Sequence, residues 1–202
     1  MASKGQEMEL YGEEVQASVS FTSFMTAVSM FFVGLILTRY ETFEATIRIP
    51  VLFLIVSTFG FLYSTLVYSN ASDPITRMDR KRTREYMFIG DVISEYVGVY
   101  MLIFSLPLTI TAITKDAFLQ FAVLAASIMG LVLYSFSRYS IIYRQIGSVP
   151  RELFVVVMCA FEAVLFFAQA GSLPFFTELS IAFLALIMLF SYDMSRYKER
   201  RV

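Results

Sequence analysis

Histidine and tryptophan are both missing from this 202-residue chain, and cysteine occurs once, as Cys159. These absences remove whole classes of chemistry. A disulfide within the chain is impossible, and a zinc site built from Cys and His has no ligands. Haem held by His and acid–base catalysis by imidazole are excluded with them. Lysine is confined to loops and ends, so a buried Schiff base has no amine. An aspartyl dyad needs two aspartates in facing segments, whereas Asp91 stands alone among the central apolar stretches and Asp193 lies near the far end. The expectation is a protein that is not an enzyme and carries no cofactor.

What the chain has in abundance is apolar surface: 57% of its residues are hydrophobic, and its mean hydropathy is +0.67. That is too apolar for a soluble fold of this length. A membrane-spanning helix needs about 20 mostly apolar residues. Six stretches qualify, approximately Val19–Leu37, Ile49–Tyr68, Tyr86–Leu106, Phe118–Phe136, Leu153–Ala170 and Leu173–Tyr192. The fold class read from them is an all-α integral membrane protein, a six-helix bundle over 19–192. A 1–18 segment precedes it and a basic tail, 193–202, follows. The segment before the first span is acidic (Glu7, Glu9, Glu13, Glu14), the opposite of a secretory signal, so the first span is expected to be retained.

Charge sets the expected orientation. Thirteen of the sixteen Lys and Arg residues fall on the side of the two termini, leaving Arg39, Arg48 and Lys115 on the other. The positive-inside rule then places both ends in the cytoplasm of a multi-pass cell-membrane protein. Tyr68, Tyr86, Tyr139, Tyr143 and Tyr197 fall at the same boundary, where amphipathic rings settle. Topology accounts for the basic residues, so no nucleic-acid partner is expected. Asp73-Pro74 reads as the start of a short charged helix leading into the third span.

The third and fifth spans align without gaps at an offset of 67 residues: Arg84-Glu85 on Arg151-Glu152, Glu95 on Glu162, and Ser105-Leu106-Pro107 on Ser172-Leu173-Pro174. The even spans share Leu62-Tyr63-Ser64, Leu133-Tyr134-Ser135 and Leu189-Phe190-Ser191. Together these suggest three tandem helical hairpins in parallel repeat.

Asp91, Glu95 and Glu162 are acids inside apolar spans. Glu95 and Glu162 each lie 11 residues beyond an Arg, at about 16 Å of helix rise, near the middle of a hydrocarbon core about 30 Å thick. A central acid costs on the order of 3 kcal/mol on insertion scales, so these three should face the interior or a wet cavity. With no Lys or Arg inside the spans, they are expected to share protons, accept hydrogen bonds, or hold a hard cation. Ser94, Tyr96, Tyr100, Ser105 and Gln169 offer supporting polar groups. Gly90, Ser94 and Gly98, and likewise Ala122, Ala126 and Gly130, recur at four-residue intervals that let helices approach closely or self-associate into a homo-oligomer. The expected function is transport of a cation or a proton-coupled solute along a path lined by Glu95 and Glu162, with Asp91 as a relay. The alternative is a non-catalytic membrane subunit that binds a small molecule or docks on a partner complex.

Overall fold

The computed structural model describes residues 4–43, 45–73, 80–136 and 151–197. The short helix expected after Asp73-Pro74 falls on residues outside this set, as do Arg138, Arg144, Tyr139 and Tyr143. All regular structure in the described residues is helical. Six helices are long and apolar enough to cross a membrane. They are α1 (Lys4–Leu37), α2 (Arg48–Ser72), α3 (three consecutive stretches, Arg80–Val92, Ile93–Val99 and Tyr100–Ile113), α4 (Ala117–Phe136), α5 (Arg151–Ala170) and α6 (Phe176–Tyr197).

Several boundaries differ from the sequence reading, and three of the differences have a clear local cause or consequence. α1 starts at Lys4, so the acidic N-terminal stretch is helical and continuous with the first span. α3 runs past the expected end at Leu106, through Pro107 to Ile113, although a proline inside a helix removes a backbone donor. α6 starts at Phe176, because α5 is closed by a tight turn: Leu173 N–H donates to Ala168 O (2.9 Å), with Ser172 in the left-handed region at φ 50°. The two Ser-Leu-Pro tripeptides of the proposed repeat therefore adopt different structures, one inside a helix and one in a turn. Elsewhere local signals set the ends, as where Asp116 Oδ1 caps α4 by accepting from Phe118 N–H (3.0 Å) and Leu119 N–H (3.3 Å).

α3 is the central helix, packed against α2, α4, α5 and α6, while α1 lies along α2. Burial follows from that placement. Half or more of the apolar windows of α2 and α3 is inside the protein (56% and 50%), against 17% for α1 and for α4. The main core joins Phe53, Phe104, Phe183 and Leu165 across four helices. One smaller cluster, with Val15, Tyr68 and Met87, closes the end that holds the N-terminus of α1, and another, with Ile36, Ile47 and Val51, closes the opposite end.

Small residues decide how α2 and α3 meet. Gly90 lies against the Tyr68 ring and Gly98 against the Phe61 ring, so this pair does the packing expected of it. The pairing has a third member that the spacing did not reveal. A β-carbon on Gly60 would sit 2.7 Å from the backbone of Val97 and Gly98, so the two main chains touch there. Among the described residues, Ala122, Ala126 and Gly130 make no close helix contact within this chain. Ala122 and Ala126 are exposed, a β-carbon on Gly130 would meet nothing within 4 Å, and α4 instead turns Leu124, Ser127, Leu131 and Ser135 inward.

Gly60→Ala is expected to destabilise the purified protein by about 1–3 kcal/mol, because backbone cannot move aside as a side chain can. Gly130→Ala should be neutral or stabilising by up to about 1 kcal/mol through helix propensity. Thermal unfolding of both variants in the same detergent separates the two outcomes.

Candidate functional site

The site grows out of an irregularity in α3. Residues Ile93–Val99 are π-helical, and Tyr100 N–H bonds to Glu95 O, a closure of five residues in place of four. In an α-helix, residues five apart point in different directions; widening the turn brings them onto one face. Side chains lean toward the helix N-terminus, so the Tyr100 ring reaches back and its hydroxyl donates to Glu95 Oε1 (3.1 Å). A π-turn needs outside support, and α2 supplies some: Ser57 Oγ donates to Gly98 O at 2.8 Å.

Beside this segment lies a partly open cavity of about 500 Å³. α3 contributes Asp91, Ser94 and Glu95 to its wall. Asp91 accepts a hydrogen bond from Tyr68 of α2 at 2.6 Å, and Tyr68 is buried, 3% exposed. α1 faces the cavity with Glu14, Ser18, Phe21 and Thr22, and α4 adds Tyr134. Thr65 of α2 donates to Thr22 Oγ1 (2.8 Å), which fixes α1 against the bundle at this level. All the lining residues come from the same half of the bundle. Glu95, 1% exposed, lies at the inner end, and beyond it Tyr96, Tyr100, Met101 and Phe104 are fully buried and close the interior.

Asp91 and Glu95 thus share one wall, as their four-residue spacing suggested. Glu162 does not line this cavity. It is equally buried, 1% exposed, and its Oε1 is bonded to Ser127 Oγ of α4. Ser127 also lies 3.1 Å from Ile103 O. That carbonyl is the one Pro107 leaves without its intrahelical donor. A serine has a single hydroxyl hydrogen and here faces two acceptors. Both contacts are satisfied together when Glu162 brings its own proton, donating to Ser127 while Ser127 donates to Ile103. The three residues then form a clasp across α3, α4 and α5, and Glu162 Oε2 makes no hydrogen bond in it.

The supporting groups divide in the same way. Tyr100 and Ser94 belong to the cavity side. Tyr96 packs edge-on against Phe154 and Phe190, and its buried hydroxyl makes no hydrogen bond. Gln169 is remote from both acids, donating to Leu108 O (3.0 Å) in the opposite half of α3. Ser105 bonds within its own helix, to Leu102 O. Cys159 is half-buried with a free thiol, one turn from Glu162. Among the described residues no three His, Cys, Asp or Glu side chains converge closely enough to hold a metal ion.

Sequence reasoning missed Glu14, Tyr68, Tyr134 and Ser127 as site residues. For Ser127 a signal existed, a hydroxyl alone within an apolar stretch; for Glu14 none did, since its role depends on α1 being one continuous helix.

Hydrogen counting at the clasp gives a test. Ser127→Ala and Glu162→Ala each strand a buried polar partner and should cost about 1–3 kcal/mol. Glu162→Gln keeps a donor for Ser127 and should stay within about 1 kcal/mol of the parent. Infrared difference spectra should show a protonated-carboxyl band at neutral pH that disappears in Glu162→Gln. Equal destabilisation by Gln and Ala, with no such band, would remove the proton from the clasp. No protein family, curated protein or solved structure matches this chain.

Proposed function

We propose that this chain is an integral membrane protein with both termini in the cytoplasm, and that it binds and moves a cation, or a solute coupled to protons, through the cavity lined by Asp91 and Glu95. The membrane assignment is supported by what the helices turn outward. Phe24, Phe31, Phe118, Leu133 and Leu189 are each more than 60% exposed, so the outside of the bundle is as apolar as its inside. Water would penalise such a surface and lipid would not. The thirteen-to-three distribution of basic residues supports the orientation. On that orientation the cavity belongs to the cytoplasmic half. Three successive hairpins, α1–α2, α3–α4 and α5–α6, then insert in parallel.

The observation that carries the reading is the placement of two carboxylates on one cavity wall inside an otherwise apolar bundle. Such groups are expensive in a membrane and persist where they bind or relay charge. The fully buried aromatic layer past Glu95 supports a carrier that opens to one side at a time over a continuous channel. That same closure favours a second reading, a non-catalytic subunit that binds a small molecule and signals to a partner. Co-purification of a stoichiometric partner from native membranes, with no charge movement by the chain alone, selects the second.

In proteoliposomes, concentration jumps of H⁺, Na⁺ or an organic ammonium should give charge-displacement currents on a solid-supported membrane. Asp91→Asn with Glu95→Gln should reduce them at least tenfold, whereas Glu162→Gln, whose acid is taken up in the clasp, should leave them within about twofold of the parent. Undiminished currents in the Asp91/Glu95 double variant reject the assignment.

A further inference from the structure

The size and lining of the cavity bear on what kind of cation enters it. At about 500 Å³ it falls in the range of pockets that hold whole small molecules, roughly 300–1,000 Å³. A dehydrated inorganic ion would leave nearly all of that volume unfilled. Hard cations are held by several oxygens converging on one point. The acids here are not arranged that way: Glu14 comes from α1, Asp91 and Glu95 are successive turns of α3, and no three acids among the described residues converge on a common centre. Between them the wall is mostly carbon, from Ala17 and the rings of Phe21, Tyr68 and Tyr134, with the hydroxyls of Ser18, Thr22 and Ser94 among it. Among the described residues, none that lines the cavity is Lys or Arg.

We propose that this cavity takes an organic cation: an ammonium group carried on a compact apolar body, its charge directed to Asp91 and Glu95 and its body against the aromatic rings. This rests on the reading that Asp91 and Glu95 form the binding site, and it names the ligand class. Ring faces attract ammonium groups, most strongly where water is excluded, and carboxylates supply the charge complement. Phe21 fits the first part of that role, since its side chain is half exposed and its ring is held edge-on by Phe61 at 6.4 Å. Glu14, exposed on the same side of α1, adds a negative charge on the approach. The scale of the space admits a quaternary ammonium with one aromatic or short alkyl substituent.

The test is calorimetric titration of the purified full chain in nanodiscs with benzyltrimethylammonium, its uncharged carbon analogue neopentylbenzene, and NaCl alone. The ammonium should bind saturably, at least tenfold more tightly than the neutral analogue. Asp91→Asn should weaken it at least tenfold. Phe21→Leu, an exposed substitution that leaves the core intact, should weaken it roughly two- to fivefold. Ala17→Phe, which fills the cavity from α1, should abolish it. Equal binding of the charged and neutral compounds, or ammonium binding unaffected by both Asp91→Asn and Phe21→Leu, overturns the proposal. Failure of the ligand class and failure of the site are distinguishable. Currents driven by H⁺ or Na⁺ that require Asp91 and Glu95, with no ammonium binding, discard the organic cation and keep the site. Absence of both discards both.

Discussion

A polar group buried in a bundle of apolar helices has little water to turn to, so it must be satisfied by the protein itself or by something the protein binds. α3 is where that constraint is concentrated. It carries two of the three acids inside the apolar spans, a π-helical stretch and a proline, and each is met by a side chain from another helix or from its own next turn. Ser57 of α2 bonds Gly98 O in the π-segment, Tyr68 of α2 bonds Asp91, Tyr100 bonds Glu95, and Ser127 of α4 lies against the carbonyl freed by Pro107. The neighbouring helices are positioned by these contacts as much as by apolar packing.

Two sides of α3 consequently do different things. Toward α2 the surface is stripped to glycine, and the backbones meet at Gly60 and Gly98 with the Tyr68 and Phe61 rings laid over Gly90 and Gly98. This close approach holds the π-turn in place and leaves room beside it, where α1 and α4 frame the cavity without closing it. Toward α5 the acid of the opposing helix, Glu162, is drawn into a clasp with Ser127. The two glutamates that align in sequence thus have opposite fates: one opens onto a cavity, the other is sealed between helices. Ser127 of α4 contributes to that difference, offering Glu162 a partner on the side where the proline leaves a carbonyl unmet.

Much of the layout was legible without coordinates. Runs of apolar residues gave six helices, and the four-residue spacing of Asp91 and Glu95 put them on one face. The spacing of Gly90 and Gly98 likewise marked a contact surface. Where the structure departs from the reading or adds to it, the cause lies outside the local sequence. The third span was read as ending at Leu106, but the helix continues through Pro107, with Ser127 against the carbonyl that lacks its donor. The acids Glu7 to Glu14 were read as lying before the span, and the helix that carries the span begins with them. Tyr68 was read as a ring at the boundary, and the structure adds that it is a buried partner of Asp91. The stripe Ala122, Ala126 and Gly130 faces away from this chain's own helices, since four-residue periodicity names a face without saying what it meets.

The sequence by itself determined the six long apolar helices and the uneven placing of basic residues between alternate loops, because these depend on composition and on runs of residues along the chain. Only the tertiary structure decided which acid meets a cavity and which is sealed away. That choice turns on a widened helical turn and on hydroxyls contributed by other helices, and pairings of this kind between distant residues leave no periodic trace in the chain.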